Sequence, residues 1–215
     1  MPVQGDGHPG WPARLSGLVV PAGTVTLRTP RLWDGPEWSQ IRLAERDHLE
    51  TWEPSAPEGW EQRNTLLSWP GQWGAMRRLA RHGSTLPFAI LVDGRFVGQI
   101  TVGNIVRGAL CSGWVGYWVS RTMTGGGVGT AALAMVVDHC FGAAELHRLE
   151  ATVRPDNAAS LRILEKVGFR REGLFERYLY VAEMWRDHLC LAITAEDVRE
   201  SASAALVRAG SAEWA

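Results

Sequence analysis

A glycine-rich loop constrains the fold of this chain more than any other segment. Four of the five residues from Gly125 to Gly129 are glycine. They stand between a predicted strand that ends near Ser120 and a predicted helix that begins at about Val128. Glycines let backbone N–H groups turn inward without obstruction by a Cβ atom, and the helix adds the positive end of its dipole. The loop therefore predicts an anion cradle, most naturally for a phosphate or pyrophosphate.

Two common phosphate motifs fit this loop poorly. A Walker loop needs Lys and then Ser or Thr after its last glycine, and no Lys follows Gly129. The dinucleotide fingerprint G-x-G-x-x-A is met by Gly127, Gly129 and Ala132, with Glu150 at about the distance of a ribose ligand. However, that fold needs a tight turn where Ser120 and Gly127 stand well apart, and Glu150 falls inside a predicted strand. The Walker loop is excluded, and a nicotinamide-dependent oxidoreductase stays an alternative.

The segments around the loop carry a resemblance to a known family. The motifs are Gly127-Val128-Gly129-Thr130, Asn157-Ala158-Ala159-Ser160 and Leu164-Glu165-Lys166-Val167-Gly168-Phe169. In their order and spacing the chain resembles the GNAT superfamily of N-acetyltransferases, in particular the RimJ/RimL-type ribosomal-protein N-terminal acetyltransferases. The resemblance runs from about Gly23 to Ile193.

The resemblance implies acetyl-CoA as co-substrate and a site on the central strands. An extended pantetheine arm can pair with backbone groups of a strand that separates from its neighbour, here at Trp118 and Val119. The family uses the matching Asn157 and Ser160 close to the sulfur of CoA. The implied cofactor-binding residues are Trp118, Val119, Thr124, Gly125, Gly126, Gly127, Val128, Gly129, Thr130, Asn157 and Ser160.

The catalytic groups of the family are replaced at two positions. Many members carry Tyr where this chain has Leu164, so Ser160, one turn earlier on the same helix face, is assigned the hydrogen bond to the leaving thiolate. The Val119 amide is predicted to stabilise the carbonyl oxyanion. Relatives often carry a basic Glu where this chain has Trp114, which leaves Glu53 or Glu150 as bases acting through water.

The absence of a Glu at position 114 affects which kind of amine the enzyme can acetylate. At pH 7 a lysine amine must be deprotonated at a cost of roughly 4.6 kcal/mol, whereas an α-amine costs only about 1 kcal/mol. A site without a strong base therefore favours the N-terminus of a protein as the acceptor. With the family resemblance, the expected acceptor is an N-terminal Ala or another small first residue, such as that of a ribosomal protein. The alternatives are an acetyltransferase for a small-molecule amine and a non-catalytic CoA-binding module.

The acceptor wall is expected between Arg46 and Trp69, where prolines and tryptophans interrupt polar residues. The predicted substrate-binding residues are Trp52, Glu53, Trp114 and Tyr117. Glu53 could hold an incoming ammonium group or be an exposed loop carboxylate. The tryptophans crowded into the first third of the chain fit either ordinary packing or an aromatic cleft.

Composition bounds the remaining classes. A chain of 215 residues with 46% apolar content fits one domain, and a net charge of −1 predicts no bulk attraction to nucleic acid or membranes. Cys111, Cys140 and Cys190 fit buried thiols in a reducing compartment. No signal peptide or membrane span is evident in the sequence, so a cytoplasmic protein is expected, without a metal; a homodimer stays open.

The predicted organisation is an N-terminal arm (residues 1–22), one acetyltransferase domain (23–194) and a tail (195–215) with a marginal helix. Asp93-Gly94 is typical of a primed hairpin turn, and a second hairpin is expected at Arg107-Gly108. These strands join a β-α-β unit around the glycine loop. The predicted fold class is α/β (α+β), with a mixed, twisted, mostly antiparallel sheet, a splayed central strand pair and helices on both faces.

Overall fold

The computed structural model describes residues 8–215. In this part of the chain the strands are β1 (Arg14–Val20), β2 (Gly23–Arg28), β3 (Leu86–Val92), β4 (Arg95–Val106), β5 (Ser112–Val119), β6 (Arg148–Val153), β7 (Arg170–Val181), β8 (Met184–Thr194) and β9 (Glu213–Trp214). The α-helices are α1 (Gly35–Ala44), α2 (Arg46–Leu49), α3 (Trp60–Arg63), α4 (Trp69–Arg81), α5 (Val128–Phe141), α6 (Ala158–Val167) and α7 (Ala202–Arg208).

All nine of these strands belong to one sheet, in the order β7-β8-β6-β5-β4-β3-β2-β1-β9. The β5–β6 pair is parallel and the other described pairs are antiparallel. The predicted turn between β3 and β4 is confirmed, because Asp93 and Gly94 both have positive φ, 49° and 81°, as a type I′ turn requires. The predicted mixed, mostly antiparallel sheet is correct.

Helices cover both faces of the sheet. On one face, α5 packs with α6 and α7 over alternate strand residues such as Phe88 and Ile100. On the other face, Trp38 of α1 and Trp69 of α4 pack against Ala89, among others. Strand β3 is buried at every position because both of its faces are covered.

The predicted N-terminal arm is wrong for residues 14–20. This segment is β1, which pairs antiparallel with β2 and buries Leu18 and Val20. Gly17 has φ +119° at a register shift, and this irregularity breaks the alternation by which a strand is recognised. The domain therefore extends further toward the N-terminus than the sequence indicates.

The predicted tail is also part of the domain. Its helix, α7, buries Ala202 and Leu206, and the Asp138 carboxylate accepts hydrogen bonds from the amides of Ala202 and Ser203 at 2.6 and 3.0 Å. Strand β9 then pairs with β1. The chain ends are thus tied to each other and to α5.

Candidate active site

The central parallel strands separate after three residue pairs. Strands β5 and β6 are paired from Ser112↔Arg148 to Trp114↔Glu150, and the pairing stops there. Strand β5 continues to Val119 with only β4 beside it. The predicted splay is therefore present, and it opens a gap beside the second half of β5.

Backbone groups of β5 face this gap. The Ser120 amide donates to the Val97 carbonyl at 2.8 Å, on the β4 side. Because successive amides along a strand point to opposite edges, the amides of Val119 and Tyr117 point away from β4, into the gap. These are donors that an extended amide chain can pair with, and Val119 is the predicted oxyanion donor.

The glycine loop follows at the end of this gap. Gly125 and Gly127 have φ of +79° and +84°, a conformation that costs free energy for any residue with a Cβ. Gly127 is the N-cap of α5 and no side chain caps that helix, so its first amides are available to a ligand. A pyrophosphate fits this combination of free amides and helix dipole.

Gly126 differs from its neighbours. Its carbonyl accepts from the Ala22 amide at 3.2 Å, and a Cβ at this position would lie 2.7 Å from the Ala22 Cβ. Gly126 does not line the cleft. Its side of the loop is packed on the β1–β2 turn, so the predicted cofactor contact at Gly126 is not supported by its position.

Helix α6 brings two predicted residues to the gap. Asn157 is its N-cap, and the Asn157 side chain accepts from the Ser160 amide at 3.1 Å. The Ser160 hydroxyl lies 3.0 Å from the Tyr117 hydroxyl of β5. Burial raises the pKa of Tyr117 to about 12, and the hydrogen bond with Ser160 opposes this in part. Two neutral hydroxyls, those of Ser160 and Tyr117, are thus hydrogen-bonded to each other. Together they offer a hydroxyl donor in place of the tyrosine that many family members carry at the position of Leu164.

The acceptor side is held by a buried arginine. The Arg42 guanidinium, on α1, donates to both oxygens of Glu53 at 2.8 and 2.6 Å and to Asn64 Oδ1 at 2.5 Å. It also lies 4.7 Å from the Trp60 ring centroid and 5.3 Å from that of Trp118. Glu53 is therefore an ion-paired wall residue, which weakens its predicted role as base.

Arginine also fixes the predicted aromatic wall. The Arg154 guanidinium lies 4.8 Å from the Trp52 ring centroid, a cation–π distance, and donates to the Thr51 carbonyl at 2.9 Å. Arg154 follows β6, so this contact joins the loop after α2 to the splayed strand. Trp52 remains 36% exposed, as a wall residue that meets a ligand would be.

Trp114 occupies the position of the base in relatives. Its ring lies on Gly116, where an added Cβ would approach to 2.6 Å, and on Gly103, where it would approach to 3.0 Å. Gly116 of β5 and Gly103 of β4 therefore make room for the indole. Glu150, paired with Trp114 across the sheet, accepts from Arg148 Nε at 2.7 Å.

These residues surround one continuous cleft of about 1160 Å³. The predicted residues that line it are Trp52, Glu53, Trp114, Tyr117, Trp118, Val119, Thr124, Gly125, Gly127, Val128, Gly129, Thr130, Asn157 and Ser160, together with Glu150. Several of the early tryptophans serve packing instead, since Trp60 and Trp69 are fully buried. The cleft thus joins the expected coenzyme side to the expected acceptor side.

Arg42, Phe175, Tyr178 and His188 are among the cleft residues that were not predicted from the sequence. Only the aromatic residues of β7 gave any signal, as a cluster in a strand. The thiols behave as expected in one respect: burial raises the pKa of Cys140 and of Cys190. Neither is therefore activated as a nucleophile.

The family of the chain follows from its match to a family model. Residues 24–170, more than half of the chain, match the family model described as an acetyltransferase (GNAT) domain. The chain belongs to this family, and it is an acetyl-CoA-dependent N-acetyltransferase. The predictions of family, fold class, enzyme class and co-substrate are confirmed.

Three known proteins are similar to all or part of this chain. The structure of Mycobacterium smegmatis RimJ in complex with CoA-disulfide is 56% identical, with a TM-score of 0.96, over 97% of this chain and 100% of that one. The [ribosomal protein uS5]-alanine N-acetyltransferase of Escherichia coli is 28% identical over 80% of this chain and 92% of its own length. The probable N-acetyltransferase YjcK of Bacillus subtilis is 40% identical over 49% of this chain, which spans 58% of that relative.

Proposed function

We propose that this enzyme acetylates the α-amine of a protein N-terminus, with alanine or another small first residue on a ribosomal protein as acceptor. The observation that carries this proposal is the similarity to the uS5-alanine enzyme over 92% of that relative's length. The similarity to RimJ over 97% of this chain supports it. Ribosomal proteins are made in the cytoplasm, so we propose that compartment for the reaction.

The chemistry of the acceptor wall supports an α-amine. Trp114 offers no basic group, and the Glu53 carboxylate is engaged at both oxygens by Arg42. An acceptor that costs only about 1 kcal/mol to deprotonate at neutral pH suits such a wall. The aromatic surfaces of Trp52 and Trp114 suit a small first residue.

The proposed roles in catalysis follow the two sides of the cleft. Backbone amides at Gly127, Val128 and Gly129 bind the pyrophosphate of the co-substrate, and the Val119 amide stabilises the oxyanion. Ser160 donates a hydrogen bond to the departing thiolate and is itself supplied by Tyr117. This hydroxyl pair takes the place of the missing helix tyrosine and argues against a merely CoA-binding module.

The test is a peptide-acetylation assay with free CoA as readout. Acetyl-CoA is supplied with a peptide that begins with Ala, the same peptide with a blocked N-terminus and an internal lysine, or a small polyamine. We expect CoA release and a mass gain on the first peptide alone. Equal turnover of the lysine or the polyamine would contradict an N-terminal acceptor. A homodimer and the lack of nucleic-acid binding stay predictions.

A further inference from the structure

His188 is a cleft residue that no role above uses. It lies on β8, is 3% exposed, and lines the cleft that holds the predicted acceptor wall. Its ring packs edge-on against Tyr178, with ring centroids 5.8 Å apart. A buried imidazole that borders a reaction cleft is a candidate for proton transfer.

The hydrogen bonds of the ring define its tautomer. Nδ1 lies 3.0 Å from the Arg186 carbonyl oxygen, which can only accept, so Nδ1 carries the hydrogen. In the neutral ring Nε2 is then an unprotonated acceptor. Within residues 8–215, Nε2 makes no hydrogen bond and is not sealed from solvent.

The sheet register puts this nitrogen on the acceptor side. Trp114 pairs with Glu150, and Glu150 pairs with Ala192. His188 is an even number of residues from Ala192 along β8, so it shares the face of Trp114 and Glu150. Along β8, His188 comes one residue beyond Leu189, which is the partner of Val153 at the end of β6. At this end of β6, β5 and β6 have already separated. His188 therefore borders the open part of the splay.

We propose that His188 is the general base for the acceptor amine, a role that rests on the proposed function. Nε2 takes one proton from the incoming ammonium, directly or through one water, and the neutral amine then attacks the thioester carbon. The C–N bond forms, the C–S bond breaks, and its electron pair leaves on sulfur. The second amine proton reaches the thiolate along the Ser160–Tyr117 side, and His188 returns its proton to water.

The charges around the ring are compatible with this cycle. Tyr178 of β7 is a titratable neighbour of the His188 ring. Arg154, the residue after β6, lies beside His188, and the Arg154 guanidinium is paired with Asp156. On β8 itself, Arg186 supplies the carbonyl, while the Asp187 carboxylate is turned to the Arg177 amide at 2.7 Å. The Asp156 and Asp187 carboxylates are therefore engaged elsewhere and do not pair with the imidazole.

The decisive variant is His188→Asn. Its amide nitrogen can keep the bond to the Arg186 carbonyl, whereas nothing replaces Nε2. With an Ala-starting peptide we expect kcat/KM to fall about 100-fold near pH 7, with CoA affinity unchanged by calorimetry. Near pH 9 the α-amine is already mostly neutral, so the deficit should shrink to about fivefold. In His188→Ala, added imidazole should restore part of the rate.

Two other histidines serve as comparisons. His147 is exposed and paired with Glu196 outside the cleft, so His147→Gln should keep the wild-type pH profile. His48, on α2, also lines the cleft. A deficit of His188→Asn that is equal at both pH values, or a neutral-pH deficit that appears in His48→Gln instead, would overturn the proposal. A wild type that releases no CoA with any peptide would instead count against the proposed function, which keeps the two failures distinct. Should His188→Asn fail to bind CoA, His188→Gln replaces it under the same criteria.

Discussion

The two sides of the cleft are built from different materials. On the proposed coenzyme side, the available donors are backbone amides of β5 and of the first turn of α5, the latter placed by glycines with positive φ. On the acceptor side, the wall consists of side chains held by arginines, Arg42 with Glu53 and Arg154 with Trp52. One side depends on backbone conformation, and the other on pairs of specific side chains.

This difference teaches where each side is vulnerable and where it can vary. Backbone donors tolerate changes in most side chains, provided that the glycines stay. An ion pair in a half-buried wall fails when either partner is lost. The coenzyme side is therefore suited to one constant ligand, and the acceptor side to a ligand that differs among relatives of the same fold.

The largest expected effect tests whether the sides are separable. Arg42→Met removes the partner of Glu53 and Asn64 from a site that is 6% exposed. We expect the unfolding free energy to fall by about 3 kcal/mol, because an acceptor atom and a carboxylate lose their charged donor. Urea denaturation measures this loss. In the folded fraction, KM for the peptide should rise while CoA affinity changes less than about threefold.

Arg46→Met is the matched control for Arg42. Arg46 forms exposed ion pairs with Glu50, one turn away, and with Glu61 of α3, and exposed pairs contribute little. We expect a change below about 0.5 kcal/mol. If CoA affinity fell as steeply as peptide affinity in Arg42→Met, the two sides would be one mechanical unit and the comparison would fail.

The next effect concerns the coenzyme side. Gly129→Asp places a carboxylate in the first turn of α5, where it suits the helix dipole but repels a pyrophosphate. CoA affinity should weaken about 100-fold by calorimetry, which corresponds to about 2.7 kcal/mol. Thermal stability should change little, since the added Cβ meets only the flexible tip of Ile163 at 2.9 Å.

Gly129→Asn separates charge from size in the same position. It has the same shape without the charge, so we expect a clearly smaller loss of CoA affinity. Equal losses in both variants would show that the site excludes any side chain there, and the electrostatic account of the cradle would be wrong.

The difference between the coenzyme side, built from local backbone, and the acceptor side, built from distant side chains, also explains what could be predicted from the sequence. The glycine loop, the splay of β5 and the presence of Asn157 and Ser160 at the cleft follow from local spacing, glycine chemistry and a family resemblance, so they could be predicted residue by residue. Arg42 of α1 meets Asn64, at the end of α3, only because these helical segments pack together in the folded chain. His188 shares a face of the sheet with Trp114 only because β5, β6 and β8 pair in one register. The strand β1 was missed for a related reason: Gly17 interrupts its alternation, and its burial depends on β2 and α5.

A smaller effect tests the hydroxyl pair. Ser160→Ala and Tyr117→Phe each remove one member of a contact of 3.0 Å. Each should lower kcat about tenfold, which corresponds to about 1.4 kcal/mol, and the double variant should lose little more. The measurement is kcat with saturating acetyl-CoA and peptide. Fully multiplied losses in the double variant would mean that the two hydroxyls act separately.

The last expected effect concerns stability rather than catalysis, and it is a pH dependence that belongs to Tyr117. Burial raises the pKa of Tyr117 from 10.0 to about 12. Between these values the unfolded chain has released the phenol proton while the folded chain retains it, so the unfolding free energy falls as pH rises. Wild type should lose up to about 2.7 kcal/mol more than Tyr117→Phe across this window in urea titrations. If the two proteins lost stability in parallel, the Tyr117 phenol would be exposed to solvent. Tyr117 would then not be a buried side chain of the coenzyme side.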